Sequence, residues 1–481
     1  MAKTINVLFL AAEAEPFFKV GGLADVAGSL PLALRDLPEQ AARGLKLDVR
    51  LVLPLHRSNK AEPATLRPVA EFPVWHSGGA IKTQVFEGAL GGMPVYFING
   101  APIASSATVY LPDQAQDRAK YGFFSMAALE MTRYLEWQPN IVHANDWHTA
   151  LALYAINSRR KNPAFGAIRT MLTVHNLPFM GGEGADVLAA YGLEPIHEQA
   201  LPSWAWNQPL PLGLHSADAI VPVSPTYARE ILTPEFGCGL EAYLRGRANA
   251  VTGILNGLDV KSWDPAVDRS LVTTFSVESL SGREANKAAL QKELGLPVEA
   301  RLPILAMIGR VDPQKGVDIS LAALSLIAEQ PWQFILLGTG DKTLEEAARN
   351  LQLVFPDRIR AVTRYDSDLG RKIYGGADLF LMPSRYEPCG LAQMIAMRYG
   401  CVPVVRTTGG LKDTVQEGKT GFMFDKAMPE SLADALMRAL GVYVNPEKWK
   451  RFQRNGMKED FSWSKSARQY AILYRSLISL S

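Results

Sequence analysis

The chain has 481 residues, 48% hydrophobic and 20% charged, with 50 Lys plus Arg against 48 Asp plus Glu; this predicts two or three packed domains and gives no bulk field to hold nucleic acid or an anionic membrane. Cys238, Cys389 and Cys401 show no metal-ligand spacing, exclude a disulfide framework and fit a reducing compartment. No apolar run is long enough to span a bilayer, and the start of the chain reads straight into a strand without a signal-peptide core, so a cytoplasmic protein is expected, or a plastid one whose transit peptide has been removed.

The first strand is expected over Ile5–Ala12. It leads to Lys19-Val20-Gly21-Gly22-Leu23-Ala24-Asp25, which opens a helical pattern. Two glycines without Cβ atoms let a phosphate or sugar approach backbone N–H groups at a helix start beside Lys19, although the same residues would serve a plain strand-to-helix turn. The spacing is neither G-x-G-x-x-G nor G-x-x-x-x-G-K-[ST], which excludes the common dinucleotide and nucleoside-triphosphate loops. Apolar runs at Val49–Leu53, Val95–Ile98, Ile141–His143, Met171–Val174 and Ala219–Val223 then alternate with helical stretches, Tyr121–Leu135 the clearest. That alternation marks βαβ units and a mostly parallel sheet. His143-Ala144-Asn145-Asp146-Trp147-His148 and Thr173-Val174-His175-Asn176 begin where strands end. With no His-x-x-x-His pair and no carboxylate cluster, these residues read as the lining of a sugar pocket rather than a metal site; Asp146 would equally cap the following helix.

A seam is expected between Arg245 and Asp264, where Gly246, Gly253 and Gly257 punctuate the chain ahead of Pro265. The strand pattern restarts at Ile304–Ile308, Phe334–Leu337, Ile359–Val362, Leu379–Met382 and Val402–Val405. Gly309-Arg310-Val311-Asp312-Pro313-Gln314-Lys315-Gly316 puts a planar guanidinium and a point-charge ammonium on one strand-end loop, which suits a diphosphate better than one carboxylate; a solvated loop would also carry both. Leu337-Gly338-Thr339-Gly340-Asp341 is a glycine-rich turn. Pro383–Gln393 places Glu387 before Gly390-Leu391 and an apolar helical run, offering a carboxylate for sugar hydroxyls beside free N–H groups, or simply an acid that complements a helix start. Thr407-Thr408-Gly409-Gly410-Leu411 repeats the exposed-backbone design. The tail, residues 457–481, reads as one amphipathic helix. Cys389 has no neighbouring base and is not expected to act as a nucleophile.

With these residues in place the chain resembles the bacterial glycogen synthase and plant starch synthase family of retaining glucosyltransferases. The resemblance runs nearly end to end: KVGGLADV from Lys19, HANDWHTAL from His143, TVHN from Thr173, VSPTYAREI from Val223, GILNGLD from Gly253, GRVDPQKG from Gly309, SRYEPCGLAQ from Ser384, TTGGLKDTV from Thr407 and FSWSKSA from Phe461. It implies an α/β fold of two Rossmann-like domains with parallel sheets facing across a deep cleft, the last helix crossing back to the first domain. Residues 1–250 with 457–481 would form the acceptor side and residues 251–456 the nucleotide-sugar side.

By resemblance Arg310 and Lys315 grip the diphosphate of ADP-glucose, and Glu387 with the Gly390 and Leu391 amides holds glucose hydroxyls and phosphate. Thr408, Gly409 and Gly410 add backbone donors, and Tyr365 lies against adenine. Lys19, Gly21, Gly22, Asp25, Asp146, His175 and Asn256 complete the site from the other side, with the His175 carbonyl near the anomeric carbon. Glucose would pass with retention to the 4-hydroxyl of an α-1,4-glucan end, and neither a metal nor another cofactor is implied. Two stretches depart from the family pattern. Trp204–Gly213 has Pro211 where a Lys is usual, and Cys238 stands where a Tyr is usual. The alternative these leave open is a related transferase acting on a small acceptor such as maltose-1-phosphate; such relatives carry a second Glu eight residues after the first, a position held here by Ile395.

Overall fold

The computed structural model describes residues 3–57, 66–106 and 108–479. They fall into two compact units, one running to Gly257 and resuming at Trp463, the other Leu258–Ser462.

The first unit is built on eight strands: β1 (Lys3–Leu10), β2 (Leu45–Pro54), β3 (Arg67–His76), β4 (Gly79–Leu90), β5 (Met93–Asn99), β6 (Ile141–Asn145), β7 (Arg169–Val174) and β8 (Ala219–Pro222). Their order is β3-β4-β5-β2-β1-β6-β7-β8. β1, β2, β5, β6, β7 and β8 pair in parallel, while β3–β4 and β4–β5 are antiparallel. The antiparallel extension was not legible as apolar runs, because β3 and β4 alternate buried with largely open positions as an outer hairpin does.

The helix expected at Tyr121–Leu135 runs from Gln114 to Met131 instead. Asp113 starts it early, its carboxylate accepting the N–H groups of Ala115 (2.9 Å) and Gln116 (3.2 Å). The C-terminal helix begins at Trp463 rather than 457, because Met457 closes the preceding helix, Pro446–Met457. Trp463 lies directly over Gly257, where a Cβ would stand 2.7 Å from it. From there Tyr470, Tyr474 and Leu477 enter the same core as Val7, Phe9 and Leu30.

The second unit has an all-parallel sheet of six: β9 (Ile304–Ile308), β10 (Gln333–Leu337), β11 (Ile359–Val362), β12 (Leu379–Met382), β13 (Val402–Arg406) and β14 (Phe422–Phe424), ordered β11-β10-β9-β12-β13-β14. β10, β12 and most of β9 and β13 are buried on both faces, as strands covered by helices on either side must be. Counting parallel strands alone, each sheet runs 3-2-1-4-5-6, the doubly wound order of Rossmann-like folds. Such a sheet has its crevice where the connections diverge, outside the carboxyl ends of strands 1 and 4. Those are β1 and β6 in the first unit and β9 and β12 in the second.

Candidate active site

At the first switch point the loop after β1 is organised by Glu13, which the sequence reading passed over. Its carboxylate is buried and accepts N–H from Val20 and from Gly21 (3.1 Å) and O–H from Tyr110 (2.9 Å). Burial pushes this carboxyl above its ordinary range, although the backbone donors oppose the shift. The Gly21 amide expected to face a ligand is therefore spent inside the protein. Gly22 starts the helix Gly22–Arg35 with open space at its Cβ position. Lys19 bridges Glu15 (2.8 Å) and Asp25 (2.7 Å). Burial works to lower the Lys19 ammonium, but Asp25 and Glu15 outweigh it and leave it raised, while burial raises the Asp25 carboxyl against the pull of Lys19. The missed signal was an acid ending the run Ala11-Ala12-Glu13, just past a buried strand.

β6 ends beside β1, with Asn145 Nδ2 donating to the Leu10 carbonyl (2.9 Å). Asp146 follows at a left-handed φ of 54°, a strained setting for a non-glycine residue. It does not cap the helix Asp146–Ser158. Its carboxylate reaches the end of β7 and accepts the backbone N–H of His175 (2.7 Å) and of Asn176 (3.4 Å). Burial raises Asp146 to about 7 against those two donors. Because Asn145 gives its amide N–H to Leu10, its Oδ1 faces His175 Nε2 at 2.9 Å, which assigns the His175 proton to Nε2 and leaves Nδ1 a lone pair. Burial lowers the imidazole to about 3 and so holds it neutral.

His143 is a core tie, bonded to Tyr474 OH (2.7 Å) and Thr173 Oγ1 (2.6 Å). Asn256 lies beyond β8 on the segment whose Ile254 N–H bonds Pro222 (3.0 Å). Buried Asn176 Oδ1, Asn256 Oδ1 and His148 Nδ1 have no hydrogen-bond partner among the described residues, so hydrogen-bonding capacity is left over for a bound molecule in this unit.

At the second switch point Lys315 Nζ lies 2.6 Å from Glu387 Oε2, which also accepts from Ser384 Oγ (3.0 Å). The spacing that brings them together starts at Asp312, whose carboxylate accepts the Lys315 N–H (3.0 Å) and turns the chain so that the next helix, Val317–Leu326, begins at Gly316. Gly316 has φ 71° and sits where a Cβ would be 2.3 Å from the Pro383 carbonyl, so the two loops touch backbone to backbone. Arg385 N–H to Gln314 O (2.8 Å) and Gln314 Nε2 to Tyr386 O (3.2 Å) complete the joint. Arg310 is the outer cation, 61% exposed at the side chain, paired with Asp312 (2.6 Å) and bonded to Gln314 (3.0 Å).

The Thr408–Gly410 turn packs under Glu387. A Cβ on Gly409 would stand 1.9 Å from the Glu387 carbonyl, and Gly410 gives its N–H to that carbonyl (3.1 Å). Thr408 N–H is likewise spent on Arg406 O (2.9 Å), so these residues place Glu387 through the backbone and the Thr408 and Gly410 amides are engaged in the protein. Gly390 (φ 72°) and Leu391 lead into the seven-residue helix Ala392–Arg398. Tyr365 stands 82% exposed before the helix Ser367–Gly376. The Gly338–Asp341 turn is held by Glu345, whose carboxyl the Gly340 N–H, then Lys342 and Thr339, lower to about 2. Among the described residues no group of three or more His, Cys, Asp or Glu is placed to hold a metal ion, and no helix is long and apolar enough to cross a membrane.

A sequence profile described as the starch synthase catalytic domain matches residues 6–246, and one described as glycosyl transferases group 1 matches residues 302–441. The chain is 39% identical to the glycogen synthase of Syntrophotalea carbinolica over 99% of both chains. It is 41% identical to that of Anaeromyxobacter dehalogenans strain 2CP-1, covering 98% of this chain and 99% of the other. The chain belongs to the glycogen and starch synthase family of glucosyltransferases. The solved catalytic domain of starch synthase IV from Arabidopsis thaliana, bound to ADP and acarbose, is similar with a TM-score of 0.89 and 33% identity over 99% of this chain and 100% of that one. A sucrose-phosphate synthase from Thermosynechococcus elongatus shares the fold at a TM-score of 0.62 and 21% identity, over 99% of this chain and 100% of that one. The two Rossmann-like units are those of this family.

Proposed function

We propose that the chain transfers glucose from ADP-glucose, with retention, to the 4-hydroxyl at the non-reducing end of an α-1,4-glucan. The observation that carries this reading is the Lys315–Glu387 pair at the second switch point, with Arg310 on the same loop as Lys315, in a chain that aligns end to end with glycogen synthases. As the sugar–phosphate bond breaks, negative charge grows on the departing diphosphate and positive charge on the sugar. Arg310 and Lys315 stabilise the first in a preorganised way, and Glu387 orients the hexose through its hydroxyls. Those cations supply the neutralising charge, so the proposed chemistry calls for no metal. On the first unit Lys19, Gly22, Asn256 and the strand-end residues Asp146 and His175 serve the acceptor side, the His175 carbonyl being offered to the electron-poor sugar.

A matrix of ADP- and UDP-glucose against maltooligosaccharides, glycogen and maltose-1-phosphate tests the reading, with ADP-glucose and an uncharged glucan expected to give the highest kcat/KM. Glu387→Ala should lower kcat by about 10²–10³, as loss of one preorganised electrostatic contact does. Near-normal turnover in the folded variant refutes the role of Glu387.

A further inference from the structure

The Trp204–Gly213 stretch carries a feature that the donor and transfer chemistry leave unused. Ser203–Ala205 forms a short 3₁₀ turn in which Ala205 is buried, and Trp206 after it is anchored by its indole N–H to the Leu201 carbonyl (2.9 Å), while Trp204 within the turn stays 43% exposed. Its ring rests on Gly239. That residue has φ 81°, and a Cβ there would stand 3.1 Å from Trp204 Cζ2, so the indole sits on bare backbone and is held without being covered.

The turn is joined to the loop that leaves His175. Leu210 N–H bonds Met180 O (3.1 Å), Asn207 Nδ2 bonds Glu183, and the Asn207 carbonyl fills the space a Cβ on Gly184 would need. Phe179 on that loop is 55% exposed. The three stretches that meet here, 176–198, 203–214 and 232–241, contain no Lys or Arg but do contain Glu183, Asp186, Glu194, Glu198, Glu235 and Glu241. From outside these stretches Arg118 reaches Gly181 O (3.4 Å), is 10% exposed at its side chain and faces Asp186 (3.8 Å), and Arg245 reaches the Leu232 carbonyl (3.5 Å). Pro211 is buried within the helix Pro209–Ser216 and presents nothing. An aromatic face beside amides and carboxylates binds the C–H face and hydroxyls of an uncharged sugar. These stretches offer a phosphate no lysine or arginine of their own, and their carboxylates repel it.

We infer that Trp204 is an acceptor-specificity residue: its indole, seated on Gly239, stacks against a glucose unit of the α-glucan and makes the site select a neutral chain over a phosphorylated small acceptor. This rests on the proposed glucan-extending function and names its acceptor class.

The experiment compares wild type, Trp204→Ala and Trp204→Phe with ADP-glucose, using maltohexaose and maltose-1-phosphate as acceptors. Trp204→Ala should raise the maltohexaose KM about 5- to 30-fold while the ADP-glucose KM moves less than twofold, and Trp204→Phe should recover most of the loss. A structural role alone would move both KM values together. An unchanged maltohexaose KM in Trp204→Ala, or a wild-type preference for maltose-1-phosphate, overturns the inference. If the wild type extends no glucan at all, the functional reading fails by itself. Maltohexaose binding by calorimetry then decides the inference: weaker binding to Trp204→Ala than to wild type upholds it, and equal binding or none overturns it.

Discussion

Asp146→Asn isolates one buried carboxyl whose protonation the fold pays for. Asp146 is 9% exposed and its carboxyl titrates at about 7, raised by burial from an ordinary value of 3.8. The folded chain therefore keeps a proton that the unfolded chain releases between about pH 4 and pH 7. Stability from this group is fully present below pH 4, falls as pH rises through that window and is flat above it. A gap of about three pH units at ~1.4 kcal/mol each amounts to about 4 kcal/mol, of which roughly 3 kcal/mol falls between pH 5 and pH 8. Asparagine imitates the protonated acid. Both N–H groups, from His175 and Asn176, go to the same oxygen, Oδ1, which asparagine retains. Urea unfolding of wild type and variant, followed by tryptophan fluorescence at half-unit steps from pH 5 to pH 8.5, should show a variant advantage of about 1–2 kcal/mol at pH 5 that grows by roughly 3 kcal/mol toward pH 8. Parallel profiles across that range would refute the argument, because they would mean that Asp146 is charged in the fold throughout.

Gly409→Ala should place a Cβ against the Glu387 carbonyl, at a site already at φ 44°; destabilisation by about 1–3 kcal/mol and a fall in kcat larger than any rise in ADP-glucose KM are expected from denaturation and steady-state kinetics. Glu13→Ala leaves the Val20 and Gly21 N–H groups and the Tyr110 hydroxyl without their acceptor; at about 1–3 kcal/mol per orphaned group, calorimetry should show a loss of several kcal/mol, whereas Glu13→Gln, which can still accept from the two amides and donate to Tyr110, should stay within about 1 kcal/mol of wild type. Equal Tm values for the two Glu13 variants would sink that account.

The fold was legible wherever a strand is buried on both faces. Ile304–Ile308, Leu379–Met382 and Ile141–His143 read as apolar runs and became β9, β12 and the body of β6. The β3–β4 hairpin was not, since its residues alternate at a half-open surface and no continuous run marks them. Within the site, the Lys315–Glu387 meeting was implicit in two strand-end loops, but only the strand order puts β9 beside β12 and so joins residues 72 positions apart. The glycine pairs were read as bare backbone facing a ligand; in the structure the Gly21 and Gly410 amides are already bonded, to Glu13 and to the Glu387 carbonyl. A glycine that permits close approach looks the same in sequence whether the approaching group is a ligand or another strand of backbone. Asp146 gives the same lesson from the acid side. Its position at a helix start suggested a cap, but a left-handed φ turns its carboxylate to the neighbouring strand end.

The two lysines of the proposed site, Lys315 on the diphosphate side and Lys19 on the acceptor side, are held by different devices, and the difference predicts how freely each can turn to a bound group. Lys19 lies between Glu15 and Asp25 with its side chain 36% exposed and theirs 53% and 26% exposed. Pairs so open to water are worth about 0–1 kcal/mol, so a bound group can draw the ammonium away at little cost. Lys315 and Glu387 are 21% and 7% exposed at their side chains, and Ser384 supplies a further donor to the same carboxylate oxygen. Separating that pair would strand an enclosed charge, a cost of about 3–5 kcal/mol when one partner is lost. Under the proposed function Lys315 would therefore meet a diphosphate with Glu387 still attached, keeping cation and carboxylate at a fixed separation while the sugar changes its charge. Rigid placement of both groups before reaction is what lets such a pair stabilise a transition state rather than merely a bound substrate.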